Sequence, residues 1–439
     1  MPCRNAMPSR LLFYGLPALT MSLGWGLRGT IGGGPVGAMI PGAMVTLALC
    51  HLLGWNRRAA VAAAFGTIGV GLGGQMTYGQ TIGFVIDPET VGWGLLGLTT
   101  KGAVWGLSGG LLVGLGFMHS LYKRIEVVMG LLLMVLGTAA GRALVDAPKL
   151  MYFSNRLDKP REEIWFGLTL GAVALLLYLL SLRRERISAA FAFVGLIGGG
   201  IGFGGGGLLM WLSSVLDAPY NSWPWWKNME FHFGLLYGLA LGIVCYSCRD
   251  QLRARDDADP PALTAPQAAG SFGALIVLGL AVLFGGMWFQ FSIPYRGMFT
   301  VVGSVLIGVS LFSPALAWHV AVSMTTYGFV RDCLYKVVLK DGVELGANGW
   351  FLVLLLGVPI VLLVACVQRA DRLSPQWALL GLTAVATEFG LLKMAPREPD
   401  AALHLYVPLV FAVEAIAVGT LAMRTGSREG RTATITREE

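Results

Sequence analysis

Apolar stretches long enough to cross a bilayer recur along this chain from Leu11 to Met423, separated only by short charged clusters. Lipid, rather than water, is then the solvent against which the chain must fold, because about 20 apolar residues match the hydrocarbon core of a membrane. Within that core every backbone N–H and C=O must find its partner inside the protein, which leaves α-helices or a closed barrel. Barrel strands alternate apolar and polar residues over about ten positions. These runs are continuously apolar, so the expected fold is all-α: a polytopic helical membrane protein. Charged residues make up 13% of the chain and the mean hydropathy is +0.67, too little charge to clothe a soluble globule.

At about 20 residues per crossing plus loops, the 439 residues hold about 13–14 transmembrane helices. Spans are predicted at 11–28, 35–54, 59–86, 92–121, 126–146, 164–182, 187–216, 229–247, 270–292, 297–318, 350–368, 376–394 and 403–423. A fourteenth appears if 297–339 splits at Ser313-Pro314. The net charge of +7 comes from basic residues scattered between spans, a topology signal rather than a nucleic-acid surface. Arg4 and Arg10, Arg57 and Arg58, Lys123 and Arg124, Arg183, Arg184 and Arg186, and Arg249, Arg253 and Arg255 fall on alternate loops, which places those loops in the cytoplasm. The opposite loops carry Asp87 and Glu89, or Trp223, Trp225 and Trp226, which suit an outer interfacial belt. One outer loop dissents, with Lys149, Arg156, Lys159 and Arg161 offset by Asp158, Glu162 and Glu163. The N-terminus reads as an uncleaved first helix. The lack of any Asn-x-Ser/Thr site is compatible with a bacterial inner membrane.

The stretch 254–269, rich in charge, Pro and Ala, reads as a cytoplasmic linker. It divides an eight-helix N-terminal part, 1–253, from a five- or six-helix C-terminal part, 270–424, followed by a polar tail, 425–439, expected to be disordered. The chain has 61 glycines, most of them in the first part, and they predict a tightly packed bundle. Four-residue spacing stacks small residues on one helix face, where they let backbones approach in lipid. Gly69, Gly73, Gly198 and Gly202 are expected at such contacts. A faint internal repeat joins Gly69, Gly71 and Gly73 to Gly198, Gly200 and Gly202, and Gly110 and Gly114 to Gly238 and Gly242. The shift spans four helices, an even number, as in transporters built from parallel repeats.

The sharpest local feature is 28–41, RGTIGGGPVGAMIP. Pro35 suits the first turn of a helix, Gly32, Gly33 and Gly34 let backbone amides approach a ligand, and helix N-termini favour anions. Arg28 adds a permanent charge with a bidentate fork. It stands where a related motif has leucine: Gly24-Trp25-Gly26-Leu27-Arg28-Gly29 echoes Gly92-Trp93-Gly94-Leu95-Leu96-Gly97. Arg28, Gly32, Gly33, Gly34, Lys101 and Glu230 are therefore the candidate substrate-binding residues. The bland alternative is a turn with Arg28 snorkelling to the interface. Lys101 lies inside a span and needs a partner or a cavity; Glu230 and Gln75 are its candidates, while Glu230 is also placed to pair with Lys227 three residues before it. Arg142 and Asp146 are spaced for an ion pair on one helix face. Glu388 and Glu414 are candidates for proton or ion coupling, Glu414 because it falls near mid-span.

Several chemistries are excluded. The Gly-x-Gly-x-x-Gly matches follow no strand, so no dinucleotide site is expected. Cys245-x-x-Cys248 has no second ligand pair, and His51, His119, His232, His319 and His404 form no His-x3-His pattern, so no metal and no cofactor is expected. No nucleophile motif or Walker lysine occurs, and no catalytic residue is assigned. The favoured reading is an integral membrane transporter or permease, for a small anionic solute, because glycine-interrupted spans beside buried charges are what broken-helix transport sites use. The alternatives are a membrane-embedded enzyme acting on a lipid or lipid-linked substrate, with Asp217, Lys227 and Glu230 near the outer tryptophans, and a non-catalytic subunit of a membrane complex. The implied partners are the lipid bilayer and a small-molecule or lipid-linked substrate, not nucleic acid.

The charge pattern predicts cytoplasmic N- and C-termini. Reporter fusions at each end are expected to report the cytoplasm; an externally accessible C-terminus would select thirteen crossings over fourteen.

Overall fold

A computed structural model describes residues 8–31, 34–56, 58–76, 78–154, 163–218, 220–255, 297–326, 373–394 and 402–435. Among these it holds thirteen α-helices and no strand. In chain order they are α1 (Arg10–Ile31), α2 (Pro35–Leu53), α3 (Ala59–Gly73), α4 (Gly79–Val85), α5 (Val91–Met118), α6 (Arg124–Gly141), α7 (Trp165–Arg183), α8 (Ile187–Val215), α9 (Trp225–Arg253), α10 (Met298–Ser310), α11 (Pro314–Trp318), α12 (Pro375–Met394) and α13 (Ala402–Ile435). Seven helical stretches among the described residues are long and apolar enough to cross a membrane: Pro35–Leu53, Val91–Leu121, Arg124–Asp146, Trp165–Arg183, Ile187–Val215, Trp225–Arg253 and Leu405–Thr425. The protein is a multi-pass helical membrane protein.

Glycine sets how closely these helices meet. Along α5, Gly102, Gly106 and Gly110 recur every fourth residue, and Gly195 and Gly199 face them from α8. A Cβ built on Gly106 would lie 1.8 Å from the carbonyl oxygen of Gly195, and one on Gly102 would lie 2.2 Å from that of Gly199. Neither space admits any side chain, so the two backbones touch directly. A second ladder joins α9 to α1. Gly234, Gly238 and Gly242 press on the carbonyl oxygens of Met21, Pro17 and Phe13, with built Cβ distances of 2.5, 2.3 and 2.1 Å. Pro17 lies inside α1 and has no N–H to offer the Phe13 carbonyl four residues before it. Gly242 brings its Cα hydrogens to that carbonyl, the close backbone approach that Cα–H···O contacts require. The glycines expected at close contacts are there too: built Cβ atoms lie 2.7 Å from Leu112 Cβ at Gly69, 2.2 Å from the Trp105 ring at Gly73, 2.3 Å from Ala240 Cβ at Gly198 and 3.1 Å from the Phe233 carbonyl at Gly202.

Helix N-termini carry amides without intrahelical partners, and carboxylates meet several of them. Asp146, spaced in the sequence to pair with Arg142, accepts from the amides of Phe166 and Gly167 at 3.2 and 2.8 Å and so caps α7. Glu185 accepts from the amides of Ile187 and Ser188 at the start of α8. Glu126 accepts from Lys123 N at the start of α6 and pairs with Arg183 at 2.9 Å, tying α6 to the end of α7.

Two expectations need amending. The span 59–86 is not one helix: α3 stops at Gly73 and α4 starts at Gly79. Two successive glycines, Gly73 and Gly74, weaken the helix where it ends, and Gly74 packs on the start of α2, where a Cβ would lie 2.5 Å from the Gly34 carbonyl oxygen and 2.6 Å from Pro35 Cα. The tail expected to be disordered from Thr425 continues α13 to Ile435. It contains no proline, and extending an anchored helix adds one hydrogen bond per residue ordered. The break at Ser313-Pro314 is present, with Ser313 Oγ accepting from Leu316 N at 3.4 Å. Spans 270–292 and 350–368, most of the 254–269 linker, and the second half of the segment 315–339 lie outside the described residues.

The ladder between α5 and α8 yields a sharp contrast. Gly106→Ala is expected to lower stability by about 1–3 kcal/mol or more through backbone overpacking. Gly92→Ala, on the same helix with nothing within 4 Å of its built Cβ, is expected to be neutral or stabilising by up to about 1 kcal/mol. Thermal unfolding of the purified variants in detergent checks the pair, and equal melting temperatures would refute the ladder as a packing device.

Candidate functional site

Arg28 and Lys101 are among the largest fully buried side chains, with 1% and 0% exposure. Neither snorkels. Arg28 sits in the last turn of α1, three residues after Trp25, so both project from one face. Trp105 comes from α5, and its indole is held by a bond from Nε1 to the Val70 carbonyl at 2.7 Å. Tyr78 comes from the break between α3 and α4. The guanidinium carbon lies 5.2, 5.0 and 5.1 Å from the ring centres of Trp25, Trp105 and Tyr78. Phe233 and Phe203 pack behind these rings, with Trp25 and Phe233 edge to face at 4.4 Å and Tyr78 and Phe203 at 5.1 Å. A desolvated cation–π contact is worth about 2 kcal/mol, against a penalty of several kcal/mol for an ion taken out of water. The rings offset much of that cost without bringing a counter-charge.

Hydrogen bonding around Arg28 is incomplete. Nη1 donates to Tyr78 Oη at 2.8 Å, but Nε is buried without a partner. Tyr78 passes its own hydrogen to Glu230 Oε1 at 3.3 Å. Glu230 accepts on both of its oxygens: Trp226 Nε1 donates to Oε1 at 3.0 Å and Lys227 Nζ to Oε2 at 2.7 Å. Lys227 also donates to the Gly26 carbonyl at 3.1 Å, fastening α9 to α1 beside Arg28. Residues 226, 227 and 230 share a face because they are spaced by three and four. The structure thus joins Arg28 to Glu230 through Tyr78. Among the described residues the cluster holds two cations, Arg28 and Lys227, and one carboxylate, Glu230.

Lys101 belongs to a neighbouring cluster, and its partner is Glu163 rather than Glu230 or Gln75. Its Nζ also donates to Thr81 Oγ1 at 2.8 Å. Thr81 donates to the Phe153 carbonyl at 2.6 Å, and Glu163 accepts from the Phe153 amide at 2.8 Å. The ring closes the connection between α6 and α7 over α4 and α5, with Phe153 against Gly97 and 4.9 Å from Trp93. Lys101 and Trp105 are one turn apart on α5, and Tyr78 and Thr81 flank the start of α4, so the two clusters share walls.

Gly34, the residue before α2, has φ +93° and ψ −177°, a conformation open only to glycine. It abuts Gly74, so the break before α2 and the break that carries Tyr78 are in contact. Gly32 and Gly33 lie outside the described residues. Gln75, in the second break, accepts from Gly297 N and donates to Thr300 Oγ1, both at 3.0 Å, and so anchors α10 to it. Glu388 is part-buried on α12 and joins neither cluster. Glu414 on α13 is held by Ser22 Oγ at 2.7 Å. His232, part-buried, packs on Gly205 of α8 rather than joining Glu230. Among the described residues no group of histidine, cysteine and carboxylate side chains is arranged to hold a metal.

No family model, no characterised protein and no solved structure matches this chain. Functional reading therefore rests on the geometry. Sequence reasoning overlooked Trp25, Tyr78, Thr81, Trp105 and Glu163. Trp25 and Trp105 carry a recoverable signal, since they stand three and four residues from the buried charges. Glu163 is distant in sequence and carries none.

Breaking a buried pair by removing one partner costs about 3–5 kcal/mol. Glu163→Gln and Lys101→Met are each expected to lose that much, and the double variant to recover a large part. A double-mutant cycle on unfolding free energies checks this.

Proposed function

We propose that the protein is a permease for a small solute bearing an anionic group, and that Arg28 receives that group. The observation that carries this reading is the sealed guanidinium with its Nε unpaired, in a cluster with an excess of positive charge. A carboxylate, phosphate or sulfate would supply both the missing acceptor and the missing charge. The two abutting breaks, at Gly34 and at Gly74 to Tyr78, support movement there, since transporters place unwound segments at their substrate sites. With all of Arg28, Lys101 and Glu230 buried, the conformation corresponds to an occluded one that must open for solute to enter.

The alternative of an enzyme acting on a lipid-linked substrate would use Glu230 and Lys227 as acid and base. Both oxygens of that carboxylate already accept hydrogen bonds, and Lys227 is committed to it. Acid–base work calls for a group free to reach the substrate. The charge pattern of the loops puts the site in the outer half of the bundle, in what is read as a bacterial cytoplasmic membrane.

Purified protein in liposomes is expected to take up at least one of a panel of labelled carboxylates, phosphate and sulfate in a saturable way. Losing a charged hydrogen bond of about 1.5–3 kcal/mol corresponds to a drop in affinity of roughly tenfold to a hundredfold. Arg28→Gln should show that drop, and Arg28→Lys should recover little because it lacks the planar fork. Melting temperatures are recorded alongside. The proposal is overturned if no anion is taken up by the wild type, or if folded Arg28→Gln matches it.

A further inference from the structure

Ser22 on α1 stands between two acceptors. Its Oγ lies 2.7 Å from Oε1 of Glu414 on α13 and 3.1 Å from the carbonyl oxygen of Phe231 on α9. A serine hydroxyl carries one hydrogen, and an ionised carboxylate carries none. With Glu414 ionised, that single hydrogen must serve two acceptors, so at most one of these contacts is a full hydrogen bond. With Glu414 protonated, the acid donates to Ser22, Ser22 donates to Phe231, and both contacts are hydrogen bonds.

Burial points the same way. Oε2 of Glu414 is buried and has no hydrogen-bond partner, and no cation forms an ion pair with this carboxyl among the described residues. A bare carboxylate inside a membrane protein is expensive, whereas a neutral acid leaves only a carbonyl oxygen uncovered. The ionisable groups on the surrounding helices do not replace the missing charge. Tyr406, two turns earlier on α13, is a phenol and brings no positive charge. Lys227 and Glu230 on α9 pair with each other, Arg28 on α1 is bonded to Tyr78, and His51 on α2 bonds the Ala422 carbonyl. Glu388 on α12 is itself an acid.

We infer that Glu414 is a proton-binding site, held as a neutral carboxylic acid in this conformation and able to release its proton when α13 parts from Ser22. On release the O–H bond breaks, the proton passes to water on the side to which the carboxyl opens, and the electron pair stays on the carboxylate. The site is wired to Arg28 through the two helices it joins. Ser22 precedes Arg28 by six residues on α1, and Phe231 follows Glu230 on α9, packing its ring on Gly26 between Ser22 and Arg28. Protonation therefore governs the contact of α1, α9 and α13 beside the solute cluster. This coupling rests on the permease reading; the protonation itself does not.

Infrared difference spectroscopy on the purified full chain at neutral pH tests the protonation. Wild type minus Glu414→Gln is expected to show the C=O stretch of a protonated carboxyl. Ser22→Ala, which removes the acceptor of its hydrogen, is expected to shift that band to higher frequency. Carboxylate bands alone, or a band unmoved by Ser22→Ala, overturns the inference, and the serine variant decides the matter if Glu414→Gln does not fold. In liposomes loaded with a pH dye, anion uptake by wild type is expected to acidify the lumen, and uptake by Glu414→Gln to leave it unchanged. Equal acidification by both overturns the coupling. A wild type that moves no anion defeats the permease reading instead, while the infrared band still decides the protonation.

Discussion

Helices in lipid gain nothing by hiding apolar surface from water, so what holds them together is how closely their backbones meet. In this protein that constraint is met by bare peptide against bare peptide, along Gly102, Gly106 and Gly110 of α5 against α8 and along Gly234, Gly238 and Gly242 of α9 against α1. The aromatic and charged cluster around Arg28 hangs from these two seams. The first brings Phe203 on α8 to Trp105 on α5, and the second brings Glu230 and Phe233 on α9 to Trp25 and Arg28 on α1. Missing side chains at Gly73 and Gly26 then make room for the Trp105 and Phe231 rings. Close packing and the polar interior are one design, since large aromatic side chains fit only where the opposing residue has none.

The charges so enclosed differ in how they are compensated. Lys101 has a carboxylate, a hydroxyl and a ring of hydrogen bonds around both, the arrangement that makes a buried ion pair tolerable. It locks the α6–α7 connection over α4. Arg28 has rings and one phenol in place of a counter-ion, and one donor left over. A group whose electrostatic debt is settled stabilises a structure, and one whose debt is open is available to bind. That difference, and not burial as such, separates the two cations: Lys101 is paired with a carboxylate and Arg28 is not.

The two backbone breaks are coupled by contact. Gly74 leans on Gly34 and Pro35, Gln75 holds the start of α10, and Tyr78 reaches Arg28 from the far end of the same five-residue turn. Arg28 is thereby connected by direct contacts, through the turn that carries Tyr78, Gln75 and Gly74, to the start of α2 and to α10.

Some of this was legible in the residues alone. Continuous apolar runs dictated helices because lipid offers the backbone no other partner, four-residue glycine spacing marked the contact faces, and a lysine inside a span marked Lys101 as a group in need of a partner. The pairing of Lys227 with Glu230 follows from helical spacing and was legible as well. The partner of Lys101 was not, since Glu163 lies 62 residues away and a one-dimensional pattern encodes only neighbours along a helix. The break at 74–78 was hidden for a related reason: the five residues are mostly polar, but the apolar runs on both sides of them read together as one span, and the contact of Gly74 with Gly34 and Pro35 comes from another helix. Local propensity and periodicity are properties of a segment, so the sequence determined which segments are helical and which faces they bury. Which buried charge is satisfied and which is left open depends on where separate helices bring their side chains together, and that was decided by the tertiary packing alone.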